Sequence, residues 1–312
     1  MRILAFVLVA GCWADLGPQS AAANADRCGE CHVEEAREFV TSRHAVASSS
    51  ELFQVLRQRA EDELAAGQFC DDCHRPDQEQ ALTCNTCHAV AGNTAAADGQ
   101  LVHDPAGPVR GPTGDGGDAP HATAASDLLV ESEICGTCHD TTGLRGFQEH
   151  PFKTWKQSIA AERGERCQDC HMGPGSDHSF TGLIAGDEEA AALLAKGIEV
   201  SGSDGVWTVQ NLTGHEFPDG ASFLREIWLE GERDGELTGE KIPLHAQLRV
   251  AGHPTWDPLL ADEVRPRGLA VDEARDIALD ADILCLRMRR VGAELASHSG
   301  LPADPPVTVA CY

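Results

Sequence analysis

Apolar residues recur at helical spacing over residues 32–67: Val33, Ala36, Phe39 and Val40 share one face, and Leu52, Val55, Leu56 and Leu64 share a later one. Residues 89–127 break that pattern. They are rich in Ala, Gly, Pro and Asp and read as a loop with little regular structure. A stretch of that length inside a compact domain needs something other than its own side chains to order it. Helical spacing returns over Thr154 to Arg163 and over Asp187 to Lys196. After Gly197 the pattern becomes short β-rich runs between Gly/Pro/Asp turns, such as Val206 to Gln210 and Ile227 to Leu229; Leu284, Leu286 and Met288 alternate with Cys285, Arg287 and Arg289. The pattern predicts a mainly α and irregular unit with little strand over residues 26–196, followed by an all-β, sandwich-like C-terminal domain over residues 197–312.

The first residues stand apart. Met1 and Arg2 precede an apolar stretch from Ile3 to Ala10, which has the form of an export signal and is excluded from the fold. Two ends are open. Val9-Ala10-Gly11-Cys12 has the form of a lipobox, which leaves residues 1–11 as signal and Cys12 as a lipid anchor. Ala23-Asn24-Ala25 has the small-x-small form of an ordinary cleavage site, which makes the signal residues 1–25. Either way the chain is expected to be exported, to the periplasm or as a membrane-anchored lipoprotein on the periplasmic or outer face. No run of about 18 apolar residues exists, so no transmembrane span is expected in the mature chain.

Composition changes the picture in two ways. The 312 residues carry 50 Asp+Glu against 24 Lys+Arg, a formal charge of −26, which argues against a nucleic-acid partner and for docking to a basic surface. Aromatic residues are only 5% of the chain, too few to give a core much bulk, whereas there are 13 Cys and 14 His.

Ten of those cysteines fall into five copies of one pentad: Cys28/Cys31 with His32, Cys70/Cys73 with His74, Cys84/Cys87 with His88, Cys135/Cys138 with His139, and Cys167/Cys170 with His171. C-x-x-C-H is the attachment pattern of c-type haem. Two thiols about one helical turn apart reach the two vinyl groups of one porphyrin, and the adjacent His meets the iron. Zinc ribbons pair two C-x-x-C knuckles per metal, so five would leave one over, with no need for a His after each. Thioredoxin-like motifs occur singly in a βαβ context that is absent here. The motifs therefore predict five covalent c-type haems, which would themselves supply most of the buried apolar surface of residues 26–196. The chain without them is expected to be largely unfolded.

Sixth ligands follow from what remains. Met1 belongs to the signal, Met172 abuts His171 and Met288 lies in a strand-like run, so bis-histidine ligation is expected for most irons, with potentials below those of Met/His cytochromes. Phe39-x-x-Ser42-x-His44, Asp177-His178-x-Phe180 and Gly214-His215-x-Phe217-Pro218, together with the two motifs between Cys70 and His88, resemble the multihaem c-type cytochromes related to the tetrahaem electron carriers of ammonia oxidisers. The resemblance covers residues 28 to about 230 and implies that His44, His178 and His215 are distal iron ligands. His121, His103 and His150 follow as candidates, in that order. The second aromatic-x-x-Ser segment, Trp155 to Ser158, has Ala160 where the first has His44, which implies a lost ligand. His245, His253 and His298 lie outside the motif zone and read as structural. Cys285 and Cys311 remain once haem and signal are accounted for, and an oxidising compartment would allow them to pair.

The function expected is electron transfer: a pentahaem carrier relaying electrons between redox protein partners. The alternative is a multihaem oxidoreductase with one open haem acting on a small nitrogen or sulfur compound. An enzyme needs acid–base groups beside an open iron. No C-x-x-C-Lys variant is present and the only Tyr is Tyr312, so no catalytic constellation is visible and the carrier is favoured. A purely structural surface lipoprotein would leave five redox cofactors without a role.

Overall fold

The computed structural model describes residues 27–76, 81–97, 99–173, 175–182, 187–203 and 205–312. The expected export signal and Cys12 lie outside the described residues, whereas all fourteen histidines lie within them.

The first half is a succession of short helices. Helix α1 (Val33–Thr41) starts immediately after His32. Helix α2 (Glu51–Leu64) begins where the Ser50 hydroxyl accepts from the Phe53 N–H and ends on Ala65 at φ +50°. The remaining motifs each sit on a helix of their own: α3 (Gly67–His74), α4 (Cys84–His88), α6 (Glu133–His139) and α9 (Cys167–His171). Between them lie α5 (Asp127–Val130), α7 (Pro151–Trp155) and α8 (Ile159–Glu162). The single helix expected over 154–163 is two, because Ser158 is extended (φ −88°, ψ 160°) and its Oγ caps α8 by accepting from the Ala161 N–H.

Two fold expectations are corrected. The fold is mixed, with 30% helix and 26% strand in several small sheets, rather than a mainly α part with little strand followed by an all-β part. Residues 89–127 are not structureless: β1 (Val90–Asn93) pairs antiparallel with β2 (Leu101–His103), and β3 (Val109–Gly111) pairs parallel with β4 (Thr123–Ala125). A third ladder joins β5 (Thr141–Thr142) to β6 (Gln148–Glu149). Chain that wraps a cavity still has to satisfy its N–H and C=O groups, and two-stranded ladders do so even in Gly- and Pro-rich sequence. In the second half, helix α11 (Ala293–His298) and the 3₁₀ turn Ser222–Leu224 interrupt the strands.

Helix α10 (Asp187–Gly197) leads into that half. A four-stranded sheet has the order β10 (Glu236–Pro243), β9 (Glu226–Arg233), β15 (Ile283–Arg289), β16 (Val307–Cys311). A three-stranded sheet has the order β14 (Ala274–Ala278), β8 (Val206–Asn211), β7 (Ile198–Ser203), and a second comprises β12 (His253–Pro254), β11 (Gln247–Val250) and β13 (Glu263–Arg265). Ile227, Leu229, Leu284, Leu286 and Met288 from the larger sheet share one core with Trp207, Val209 and Ile277, and Leu194 of α10 joins it. Cys285 and Cys311 face each other across β15 and β16 and are joined by a disulfide. Leu284 is fully buried in this core. Leu284→Ala is expected to cost about 2–5 kcal/mol, read from urea denaturation followed by circular dichroism; a loss below 1 kcal/mol would contradict the packing described.

The halves touch at a few defined places. Phe147 packs with Leu248 and Ala261. Arg59 of α2 donates to the buried Asp257 carboxylate at 2.7 Å, and the Ile159 N–H donates to Asp272 at 3.1 Å.

Candidate functional site

Residues 27–182 contain little core of their own; the principal buried cluster near the first motif is Phe39 with Ala81. Instead they surround a cavity of about 2660 Å³, lined by residues of all five C-x-x-C-H motifs. A site for one drug-sized ligand occupies roughly 300–1,000 Å³, so this cavity has room for several.

Local hydrogen bonds hold each motif. Arg57 of α2 grips Asp71, inside the second motif, with Nε 2.8 Å from one carboxylate oxygen and Nη2 2.5 Å from the other. The Thr83 N–H donates to Thr86 Oγ1 at the third. Asp140, directly after the fourth, accepts from the Phe152 N–H at 2.9 Å and so caps α7. The Cys167 N–H of the fifth donates to Ser132 Oγ at 3.1 Å, fastening it to the start of the fourth. Thiols of different motifs meet as well: side-chain hydrogen bonds join Cys28 to Cys84, Cys73 to Cys138, and Cys135 to Cys167. Spatial order thus departs from chain order, with motif one beside three, two beside four, and four beside five.

The histidines are arranged in facing pairs. Ring centres lie 6.0 Å apart for His44 and His139, 6.2 Å for His88 and His178, and 6.2 Å for His171 and His215. Two metal–nitrogen bonds of about 2 Å, plus roughly 1 Å from nitrogen to ring centre at each end, span about 6 Å. Each pair joins one motif histidine to one of the three that the sequence singled out.

Tautomers support the same geometry. The Nδ1 atoms of His74, His88, His171 and His215 hydrogen-bond to the carbonyls of Ala47, Arg110, Thr181 and Glu216 at 2.7–3.0 Å. A carbonyl only accepts, so Nδ1 carries the hydrogen and Nε2 keeps the lone pair a metal requires. Burial pushes the pKa of His44 down to about 3 and that of His139 to about 4, with neighbouring histidines adding to both. Burial lowers His74, His88, His171 and His215 as well. Neutral imidazoles are the ligand form. Paired thiols, neutral imidazoles with fixed tautomers and a large apolar cavity together fit covalently held haem.

The other histidines are placed differently. His121 lines the cavity. His103, a sequence candidate, is not part of the lining, and its Nε2 donates to the Thr86 carbonyl at 3.0 Å, the reverse of the tautomer the facing pairs use. His150 lies 3.6 Å from Asp140 and lines a second cavity of about 440 Å³. His245 is tied to Ile227, and His298 stacks on Trp256. Nine imidazoles therefore line the large cavity: five from the motifs, and His44, His121, His178 and His215. The sequence reading missed the cationic side chains of the lining, among them Arg43 and Arg225, which belong to no motif and are distant in the chain.

No family model matches the chain, and none of the curated proteins matches it. Among solved structures, the crystal structure of a penta-heme cytochrome c552 from Thermochromatium tepidum superposes with a TM-score of 0.67 at 20% sequence identity, over 93% of this chain and 98% of that one. The chain shares with that cytochrome its fold, over nearly the full length of both.

Proposed function

We propose that this chain is an exported multihaem c-type cytochrome that relays electrons between redox proteins, with five haems bound through Cys28/Cys31, Cys70/Cys73, Cys84/Cys87, Cys135/Cys138 and Cys167/Cys170. The observation that carries the reading is the convergence of five C-x-x-C-H motifs on one cavity, with three imidazole pairs at iron-spanning distance. Bound haem supplies one-electron Fe(III)/Fe(II) chemistry. This chain's residues supply neutral axial nitrogens, backbone carbonyls that hold the motif imidazoles, and a wall that keeps bulk water from the ligands. His139 with His44, His88 with His178 and His171 with His215 are three bis-histidine sites in this reading, and His121 serves His32. The fold likeness to a penta-heme cytochrome supports it. The net charge of −26 favours a partner with a basic docking face and rates that fall with added salt. Export, by either signal type, is the compartment in which thiols, haem attachment and the Cys285–Cys311 bond are compatible.

One observation favours an open iron at the second motif. Nine imidazoles line the cavity, one fewer than five bis-histidine sites need, and His74 has Phe53 stacked on it at 4.3 Å where the three paired motif rings face imidazoles. The oxidoreductase alternative draws on this iron alone. A haem-to-protein count of five is expected, with EPR of the oxidised protein showing four low-spin sites and one that changes on adding cyanide. Five low-spin sites inert to cyanide would remove the alternative; a count of zero or one would remove the multihaem reading itself.

A further inference from the structure

The wall of the cavity contains a cation with no ion-pair partner among the described residues. Arg225 follows the 3₁₀ turn Ser222–Leu224, is half-buried, and lines the cavity. Its Nη1 donates to the carbonyls of Ala221 at 2.9 Å and Gly220 at 3.4 Å. Among the described residues it makes no ion pair, and neither Nε nor Nη2 has a hydrogen-bond partner. Its charged neighbours are Glu149 and Arg43, and Arg43, which also lines the cavity, is a like charge and makes no ion pair among the described residues.

Neither nearby carboxyl is paired with the guanidinium. Glu149 accepts from the Ala221 N–H through Oε2 at 2.7 Å, so it is bonded to the loop and not to the guanidinium. Burial and the adjacent Asp219 push its pKa up to about 8, which keeps it mostly neutral at pH 7. Asp219, also facing Asp140 and His150, accepts from the Gly220 N–H at 2.7 Å. The planar fork of a guanidinium matches a two-oxygen anion. Basic side chains are enriched in the lining relative to the whole chain: eight of the chain's 24 border the cavity, against ten of its 50 acidic ones.

We propose that Arg225 and Arg43 form an anion site on the cavity wall beside the His44/His139 pair, and that its ligand is a carboxylate or similar oxyanion. Arg43 directly precedes His44, and Glu149 lies on β6, whose partner β5 begins two residues after His139. Two sources offer this chemistry: a propionate of the haem held by Cys135 and Cys138, or a dissolved oxyanion such as nitrite or sulfite. The first source rests on the multihaem reading.

The experiment compares wild-type holoprotein with Arg225→Gln and Arg225→Lys by spectroelectrochemical titration, haem count, and optical titration with nitrite and with sulfite. Reduction adds negative charge, so losing a nearby cation disfavours it. With a propionate as ligand, Arg225→Gln lowers one haem potential by about 59 mV or more, a tenfold change for a one-electron couple. Arg225→Lys recovers most of that shift, and neither oxyanion alters the wild-type spectrum. With a dissolved oxyanion as ligand, the wild type shows a saturable spectral change that Arg225→Gln loses. Unchanged potentials with no oxyanion response overturn the site. Should Arg225→Gln fail to accumulate, Arg43→Gln at an exposed position carries the same comparison. A wild-type count well below five haems counts against the multihaem reading and leaves the oxyanion titration to decide the site.

Discussion

Made without covalent haem, the full chain is expected to lose the helical structure of residues 27–182 while the C-terminal β-rich region keeps its fold. The distribution of buried apolar residues sets this expectation. Among the described residues, only eight fall within residues 27–182, namely Phe39, Phe53, Ala60, Ala81, Ala89, Val90, Phe147 and Phe152, whereas 24 fall after residue 186. Ordering a residue costs about 1–2 kcal/mol, and three of the eight are alanines that bury little area. Helices of five to nine residues such as α1, α4 and α9 are also too short to persist alone. What closes this half is whatever fills the 2660 Å³ cavity, so cofactor binding energy becomes folding energy. Circular dichroism of the haem-free chain should show β structure with most helix lost. Limited proteolysis should leave a fragment that begins near α10, because Leu194 is anchored in the β-sheet core. A haem-free chain that retains its helices and resists cleavage before residue 187 would contradict this.

The cavity also explains which parts were legible in the sequence. Each C-x-x-C-H motif is complete within five residues, so its chemistry is visible without any knowledge of the fold. His44, His178 and His215 were visible through short flanking patterns, but their partners were not. His178 meets His88 and His215 meets His171 across long stretches of chain, and facing is a property of the folded cavity. Motif adjacency is likewise a property of the fold: two and three are neighbours in sequence, yet Cys28 meets Cys84 and Cys73 meets Cys138. Strands β1–β4 went unseen because Ala, Gly, Pro and Asp carry no alternating pattern, and their ladders arise from the backbone's need for partners. His103 lies in the motif zone, and β2 turns it toward the Thr86 carbonyl. The Cys285–Cys311 bond was readable because those two cysteines remained after haem and signal were assigned. Arg43 and Arg225 gave no local signal, since a lone arginine reads as surface until its surroundings are known.

Replacing His215 by Met is expected to raise the potential of one haem, and only one, by on the order of 0.1–0.3 V, a fraction of the roughly 0.8 V that axial ligands span; a Met/His site is the more oxidising one. The position suits the test because its backbone is held independently of any metal. Asn211, itself fully buried, donates through Nδ2 to the His215 carbonyl at 2.8 Å, and Thr213 Oγ1 donates to the same oxygen at 2.7 Å. A side-chain change there should leave the loop in place. His215 also lies in the second half of the chain, just after β8, and faces His171 of the fifth motif, so the pair would clamp the β-rich region to that haem. His215→Ala should therefore open one iron to cyanide and speed protease cleavage between residues 182 and 226, whereas His215→Met should not speed it. His103→Ala is the control: its Nε2 is committed to the Thr86 carbonyl and it does not line the cavity, so no potential should move by more than a few tens of millivolts. If His215→Met leaves all potentials in place, or if His103→Ala shifts one as strongly, the facing-pair assignment fails.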